Sequence, residues 1–168
     1  MAGLLVFVQH DEGEFSPNSL GMLAKAASLG EATAFVAGSG VDDSWAAGLG
    51  AHGASKVVVA DDAALGGGLS QPVVDAIEPL AREADAVLFG AGVVSADVAA
   101  GLAARLGAGI HCETTEIALA DGGVVATRPA LGSCRSGRRT AGLDDVEHRR
   151  SRQYTALRRS GAPVGQPV

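Results

Sequence analysis

Aromatic side chains are scarce. The 168 residues include four Phe, one Trp and one Tyr, so a core has to be packed from Val, Leu, Ile and Ala. Cysteine is scarcer still: Cys112 and Cys134 stand alone and form no CxxC pair. That excludes a disulfide-dense scaffold as the reading and fits a reducing compartment. No apolar run approaches the ~20 residues of a membrane span. Leu4 to Val8 is too short for a secretory signal core and has no basic residue before it. The expectation is a cytoplasmic chain without membrane insertion. Basic residues are few where the chain is apolar. Up to Ser133 there are 5 basic and 16 acidic residues, a net of −11; from Cys134 on there are 8 and 3, a net of +5, which together give −6. The acidic part argues against a nucleic-acid partner.

Motifs that carry chemistry are also missing. There is no G-x-x-x-x-G-K-[ST], which excludes an ordinary P-loop, and no G-x-S-x-G nucleophile turn. His10, His52, His111 and His148 make no metal-ligand spacing with Cys, Asp or Glu. His111 and Cys112 are adjacent on an expected strand and should point to opposite faces, which disfavours a catalytic pair. No catalytic residue and no metal ligand is therefore named, and the cofactor-binding residues stay unknown.

What is present is a repeated strand–helix alternation. Leu4 to Gln9 reads as the first strand and His10 to Glu14 as a polar loop. Ser16-Pro17 then opens a helix with Leu20, Leu23, Ala24 and Ala27 inward and Gly30 at its end. Ala32 to Ala37 is the second strand, Asp42 to Leu49 a short helix, and Lys56 to Ala60 the third strand. Ser70-Gln71-Pro72 opens a helix that buries Val73, Val74, Ile77, Leu80 and Ala81. Ala86 to Phe89, an apolar run without alternation, suits a strand covered on both faces. Gly90 to Gly92 turns the chain into a helix capped by Ser95 or Asp97, with Val98, Leu102 and Leu106 on one stripe. A further strand is expected near Gly109 to Thr115. Ile117 to Ala120 and Val124 to Thr127 flank Asp121-Gly122-Gly123 as a hairpin extending one sheet edge. The order predicts an α/β fold, a Rossmann-like three-layer domain with a mainly parallel sheet and an edge hairpin, over residues 1–132. Residues 133–168 form an Arg-rich tail with too little apolar material to order as a whole, and at most a weak helix between Leu143 and Leu157.

Three glycine loops invite a phosphate. Gly48 to Gly53 satisfies G-x-G-x-x-G but follows a helix and precedes a strand, the reverse of the dinucleotide context, so it reads as a turn. Gly90-Ala91-Gly92 has the right context but Ser95 at the third glycine position, and Gly38-Ser39-Gly40 has Asp43 there. Packing and turn roles are the plainer reading for both. His10-Asp11 lies at a strand end where α/β sites collect; ending the strand is the alternative. Asp61 and Asp62 could meet a ribose or start a solvated loop. The tail arginines could meet an acidic partner, but only Tyr154 is interleaved among them.

Taken in order, the segments resemble a family. Leu5 to Asp11 with Gly13 and the helix from Ser19 to Leu29 is similar to the start of electron transfer flavoprotein alpha subunits. Phe35 to Gly40, Gly53 to Asp62, Ala84 to Leu106, Gly107 to Ile117 and Thr127 to Gly132 continue the likeness over residues 3 to 132. The resemblance implies a heterodimer with a beta subunit, FAD held mostly by a C-terminal domain, and electrons taken from flavin dehydrogenases to a downstream acceptor. It implies an electron carrier subunit rather than an enzyme, with architecture and beta-subunit contact as the task of the N-terminal domain. After Gly132 the likeness stops: Cys134-Arg135-Ser136-Gly137-Arg138-Arg139 appears, and the family's Gln-x-Gly-x-Thr-Gly flavin loop does not. The expectation is a chain, truncated or standing alone, that binds no FAD by itself; a shifted reading frame near Gly132 would produce the composition of the tail, and a deliberate short form is the alternative. Two other readings remain: a nucleotide-binding module for ATP or AMP, and a ligand-free subunit-contact domain.

Overall fold

The computed structural model describes residues 3–11, 13–41, 44–120, 123–128 and 154–158. Strand β1 (Gly3–Phe7) is buried from Leu4 onward because its apolar run serves two layers at once. Leu4, Val6 and Val8 enter one core cluster, and Leu5 and Phe7 the other, following the two-residue period of a strand. The expected polar loop is a small hairpin, β2 (His10–Asp11) against β3 (Glu14–Phe15). Helix α1 (Pro17–Leu29) starts at Ser16 with Pro at its first turn, yet the Ser16 side chain makes no cap bond. Its buried residues are Ser19, Met22, Leu23 and Ala26; of the expected face Leu23 is buried, Leu20 and Ala27 pack partly buried against the same core, and Ala24 is exposed. Met22 is larger than Ala24 and takes the core position.

Strand β4 (Glu31–Gly38) leads to α2 (Ser44–Ala51), and β5 (Lys56–Asp61) to a 3-10 turn (Ala63–Gly67). Helix α3 (Ser70–Glu83) is followed by β6 (Ala86–Gly90), buried at every residue. Helix α4 (Val93–Leu106) begins two residues before Ser95. Its N-cap is Gly92, so neither Ser95 nor Asp97 caps it; Ser95 is buried in its first turn. The glycine loop itself satisfies the start, with Ala96 N–H donating to Gly92 O. Strands β7 (Gly109–Thr114), β8 (Glu116–Ala120) and β9 (Gly123–Thr127) follow, and then β10 (Tyr154–Arg158).

The main sheet has the order β5-β4-β1-β6-β10-β7. The first four strands are parallel, as expected of a βαβ alternation. The last two differ from expectation. Strand β10 lies antiparallel between β6 and β7, so β7 does not pair with β6. Outward-facing peptide groups of β6 need partners, and the extended Tyr154–Arg158 backbone supplies them. A strand therefore stands where the weak helix was expected to end; the rest of 143–153 lies outside the described residues. The β8–β9 hairpin forms with Ala120 opposite Gly123, its turn at 121–122 outside the described residues, but it does not extend the sheet edge. It is a separate two-stranded sheet that buries Ile117 and Val124 in the α1-side core. The chain leaves β7 through a bulge at Cys112–Glu113, with Glu113 at φ +57, and Thr115 N–H then bonds Thr127 O.

Helix α1 covers one face of the sheet with α2 and the hairpin; α3 and α4 cover the other. Arg105 on α4 bonds Asp75 and Glu78 on α3, and Arg82 bonds Glu78 within α3. Their hydrogen bonds hold the Glu78 carboxyl below its usual range, Arg82 foremost. Asp75 and then Glu78 hold the Arg105 guanidinium above its usual range.

Candidate functional site

Ligands of open α/β sheets collect at the C-terminal strand ends, where the strand order reverses. Here the reversal falls between β1 and β6. The crevice there is filled by the chain's own groups. Asn18 Nδ2 donates to Ala91 O at 2.7 Å, and Gln9 N–H donates to Ser19 Oγ at 3.1 Å. Ser95 Oγ donates to Gln9 Oε1 at 3.0 Å, and Ser16 N–H donates to Gln9 O at 2.9 Å. Gly90 lets the first turn of α1 sit on the end of β6: a Cβ there would lie 2.6 Å from Ser19 N and 2.7 Å from Asn18 C. The Gly90–Gly92 loop thus has a packing role.

A cleft of about 810 Å³ opens beside it, over the ends of β1 and β4. Phe7, His10, Trp45, Leu69, Val73 and Val94 shape it, and the Gly38–Gly40 loop forms one wall. His10 Nε2 lies 3.0 Å from Ala37 O; a carbonyl only accepts, so this nitrogen carries the proton. The ring meets Trp45 edge to face at 4.7 Å, and Trp45 meets Phe15 likewise at 5.4 Å. Gly38 has no Cβ because His10 occupies that space, at 2.6 Å from Nε2. His10 is thus a ring that closes the strand end, and Asp11 stands exposed on the rim.

This cleft does not fit the phosphates of FAD, ATP or AMP. No Lys or Arg is among its described lining residues. One amide of the Gly38–Gly40 loop, Gly40 N–H, already donates to Asp61 Oδ1 at 2.7 Å. Asp62 Oδ1 accepts from Ala64 N–H at 2.8 Å and caps the 3-10 turn. Both carboxylates are engaged with local backbone rather than poised for a ribose. Gly48 to Gly53 spans the last turn of α2 and the start of the turn into β5, the helix-to-strand order its context required; Gly53, at φ +98, lies against Ala27. His52 Nδ1 bonds Gly48 O within that turn.

The other sequence candidates are dispersed. His111 is half-buried on β7 and Cys112 is exposed beside it. Burial, and then the Arg128 charge, hold the His111 imidazole below its usual pKa. Cys134 and His148 lie outside the described residues. Among the described residues no group of three or more His, Cys, Asp or Glu is placed to hold a metal ion. No described helix is long and apolar enough to cross a membrane. Sequence reasoning missed Gln9, Asn18 and Ser19 as the residues that close the reversal point. It also missed Trp45, although a single Trp beside a glycine turn was a visible signal.

Comparison with known proteins adds the context. A family model described as electron transfer flavoprotein domain matches residues 4–136. Electron transfer flavoprotein subunit alpha of Mycobacterium leprae is 35% identical over 120 residues, covering 70% of this chain and 38% of that protein. The protein of that name from Mycobacterium tuberculosis is 35% identical over 127 residues, covering 74% and 39%. Protein FixB of Clostridium saccharobutylicum is 34% identical over 156 residues, covering 88% and 45%. The chain therefore spans less than half the length of the curated relatives it matches.

Proposed function

The chain belongs to the electron transfer flavoprotein family, and on that premise we propose that it acts as the architectural domain of an alpha subunit. In this reading it docks a beta subunit and supports a heterodimer in which FAD, when bound, accepts and passes on the electrons. Flavin dehydrogenases are the electron donors and the cytoplasm is the compartment. Residues 1–132 carry most of the role, and of residues 133–168 the strand Tyr154–Arg158 takes part by joining β6 to β7 in the main sheet. The chain's own residues perform no proton transfer or nucleophilic attack. Their work is to hold one shape: Gln9, Asn18 and Ser95 tie β1, β6, α1 and α4 together at the reversal point.

The observation that carries the reading is the filled crevice. Where an α/β domain would bind a nucleotide, this one spends its polar groups on itself, and the neighbouring cleft has no described cationic side chain. That disfavours the nucleotide-binding module. The test is to purify the chain alone and with an electron transfer flavoprotein beta subunit. Alone it should be colourless and release no AMP, ATP or FAD on denaturation, and it should co-purify with the beta subunit. Stoichiometric nucleotide in the isolated chain, or no complex with the beta subunit, would refute the proposal.

A further inference from the structure

Strand β5 ends the main sheet, and no described residue pairs with its outer side. The direction of its peptide groups follows from one bond. Asp62 N–H donates to Gly38 O at 3.0 Å, so even-numbered residues of this segment turn toward β4. Val57, Val59 and Asp61 therefore present their N–H and C=O groups outward. Natural sheets blunt such edges with proline, bulges, very short strands or charged side chains, and the charges of this strand, Lys56 and Asp61, stand only at its two ends. Here Lys56–Asp61 is six regular residues, pairs with β4 without a register shift, and contains no proline. Val59 is exposed at its centre.

We propose that this edge pairs with the same edge of a second copy of the chain, antiparallel about a two-fold axis at Val59. The sequence is self-complementary in that register. Val59 meets Val59 of the second copy, Val57 meets its Asp61, and Lys56 meets its Asp62 on the same sheet face. Asp62 can take part because its backbone stays extended, at φ −153 and ψ 145. Lys56 is exposed and has no ion-pair partner among the described residues, whereas Lys25, Arg82 and Arg105 each have one. The symmetric pairing gives both copies of Lys56 an opposite charge at once. Moving one copy by two residues sets Lys56 against Ala60 and loses both pairs, so charge selects the register.

Sedimentation velocity of the full chain over a concentration series tests the pairing. The expected result is a reversible monomer–dimer equilibrium. Val59→Lys sets two ammonium groups at the axis and weakens the dimer by about tenfold or more. Lys56→Glu and Asp62→Lys each weaken it alone. An equimolar mixture of those two variants regains the dimer, because every cross-strand pair is again of opposite sign. Asp62→Lys also removes a turn cap. Should it fail to fold, hydrogen exchange of the wild-type chain decides: protection of the Val57, Val59 and Asp61 amides must rise with protein concentration. A chain that stays monomeric, a dimer indifferent to Val59→Lys, or a folded mixture that does not recover overturns the proposal. So does a monomeric wild type whose binding to a beta subunit is lost in Val59→Lys, which would assign the edge to that partner.

Discussion

Replacing Gly90 by Ala tests whether the glycine loop after β6 serves packing or a ligand. Gly90 is the last residue of a strand buried throughout. A Cβ there would stand 2.6 Å from Ser19 N, 2.7 Å from Asn18 C and 2.9 Å from Asn18 O, all backbone atoms of the first turn of α1. No side chain can rotate away to relieve this contact. The helix has to retreat, and it carries Met22, Leu23 and Ala26 out of close contact and strains the Asn18–Ala91 bond. Overpacking of this kind costs about 1–3 kcal/mol, and a backbone clash belongs at the upper end. For a domain of this size that lowers Tm by roughly 5–10 °C. Gly50→Ala is the matched control. It lies in α2 with nothing within 4 Å of the added methyl, and should raise stability by about 0.5–1 kcal/mol. Thermal melts followed by circular dichroism, with and without added AMP or FAD, read both. If Gly90→Ala melts with the wild type and only loses a nucleotide-dependent shift, the packing argument is wrong and the loop is a ligand site.

Three further outcomes follow from the same contacts. Phe89 is fully buried against Phe7, with ring centroids 5.7 Å apart; Phe89→Ala should cost about 3–5 kcal/mol in urea denaturation. Ser95→Ala removes the donor to Gln9 Oε1 and should cost about 1 kcal/mol, with a local loss of amide protection at the reversal point. His111 has a folded pKa below its unfolded value of about 6.5, first through burial and then through Arg128. Its protonation therefore opposes folding: the penalty is absent above the unfolded pKa, grows as pH falls from there toward the folded pKa, and is complete below it. His111→Gln should flatten the fall in stability on the acid side of pH 6.5 relative to wild type, and an unchanged slope in pH-dependent denaturation would reject the assignment.

The strands β1, β4, β5 and β6 were legible because each is a short apolar run between turn residues, and a run without alternation signals two covered faces. Helix ends were read less well, for a physical reason. Ser95 and Asp97 have the chemistry of an N-cap, but the chain already turns helical at Val93, with Gly92 as the cap residue. Once there, Ser95 points its hydroxyl at Gln9 instead of at its own helix. Face assignment in α1 was off at one position: Leu20, Leu23 and Ala27 pack inward as expected, but a three-and-four spacing fits neighbouring stripes too, and Met22 rather than Ala24 takes the core place.

The two misplacements at the far side of the sheet share another cause, which is that pairing partners are not a local property. Nothing in Ile117 to Thr127 distinguishes a hairpin that continues a sheet from one that folds over it. The difference arises because Ile117 and Val124 find a core under α1, with the bulge at Glu113 re-aiming the chain toward it. Likewise Tyr154–Arg158 sits among arginines in a segment of low apolar content, yet a strand inserted between two others is held by peptide groups that every sequence possesses. The candidate site shows the same limit from the opposite direction. Glycines at a strand end mark a close approach of backbone to something, and sequence alone does not say to what. At Gly90 it is the first turn of α1, and at Gly38 it is the His10 ring. A phosphate reading of either loop would need those two neighbours removed, and both are fixed by hydrogen bonds to the strand ends they cover.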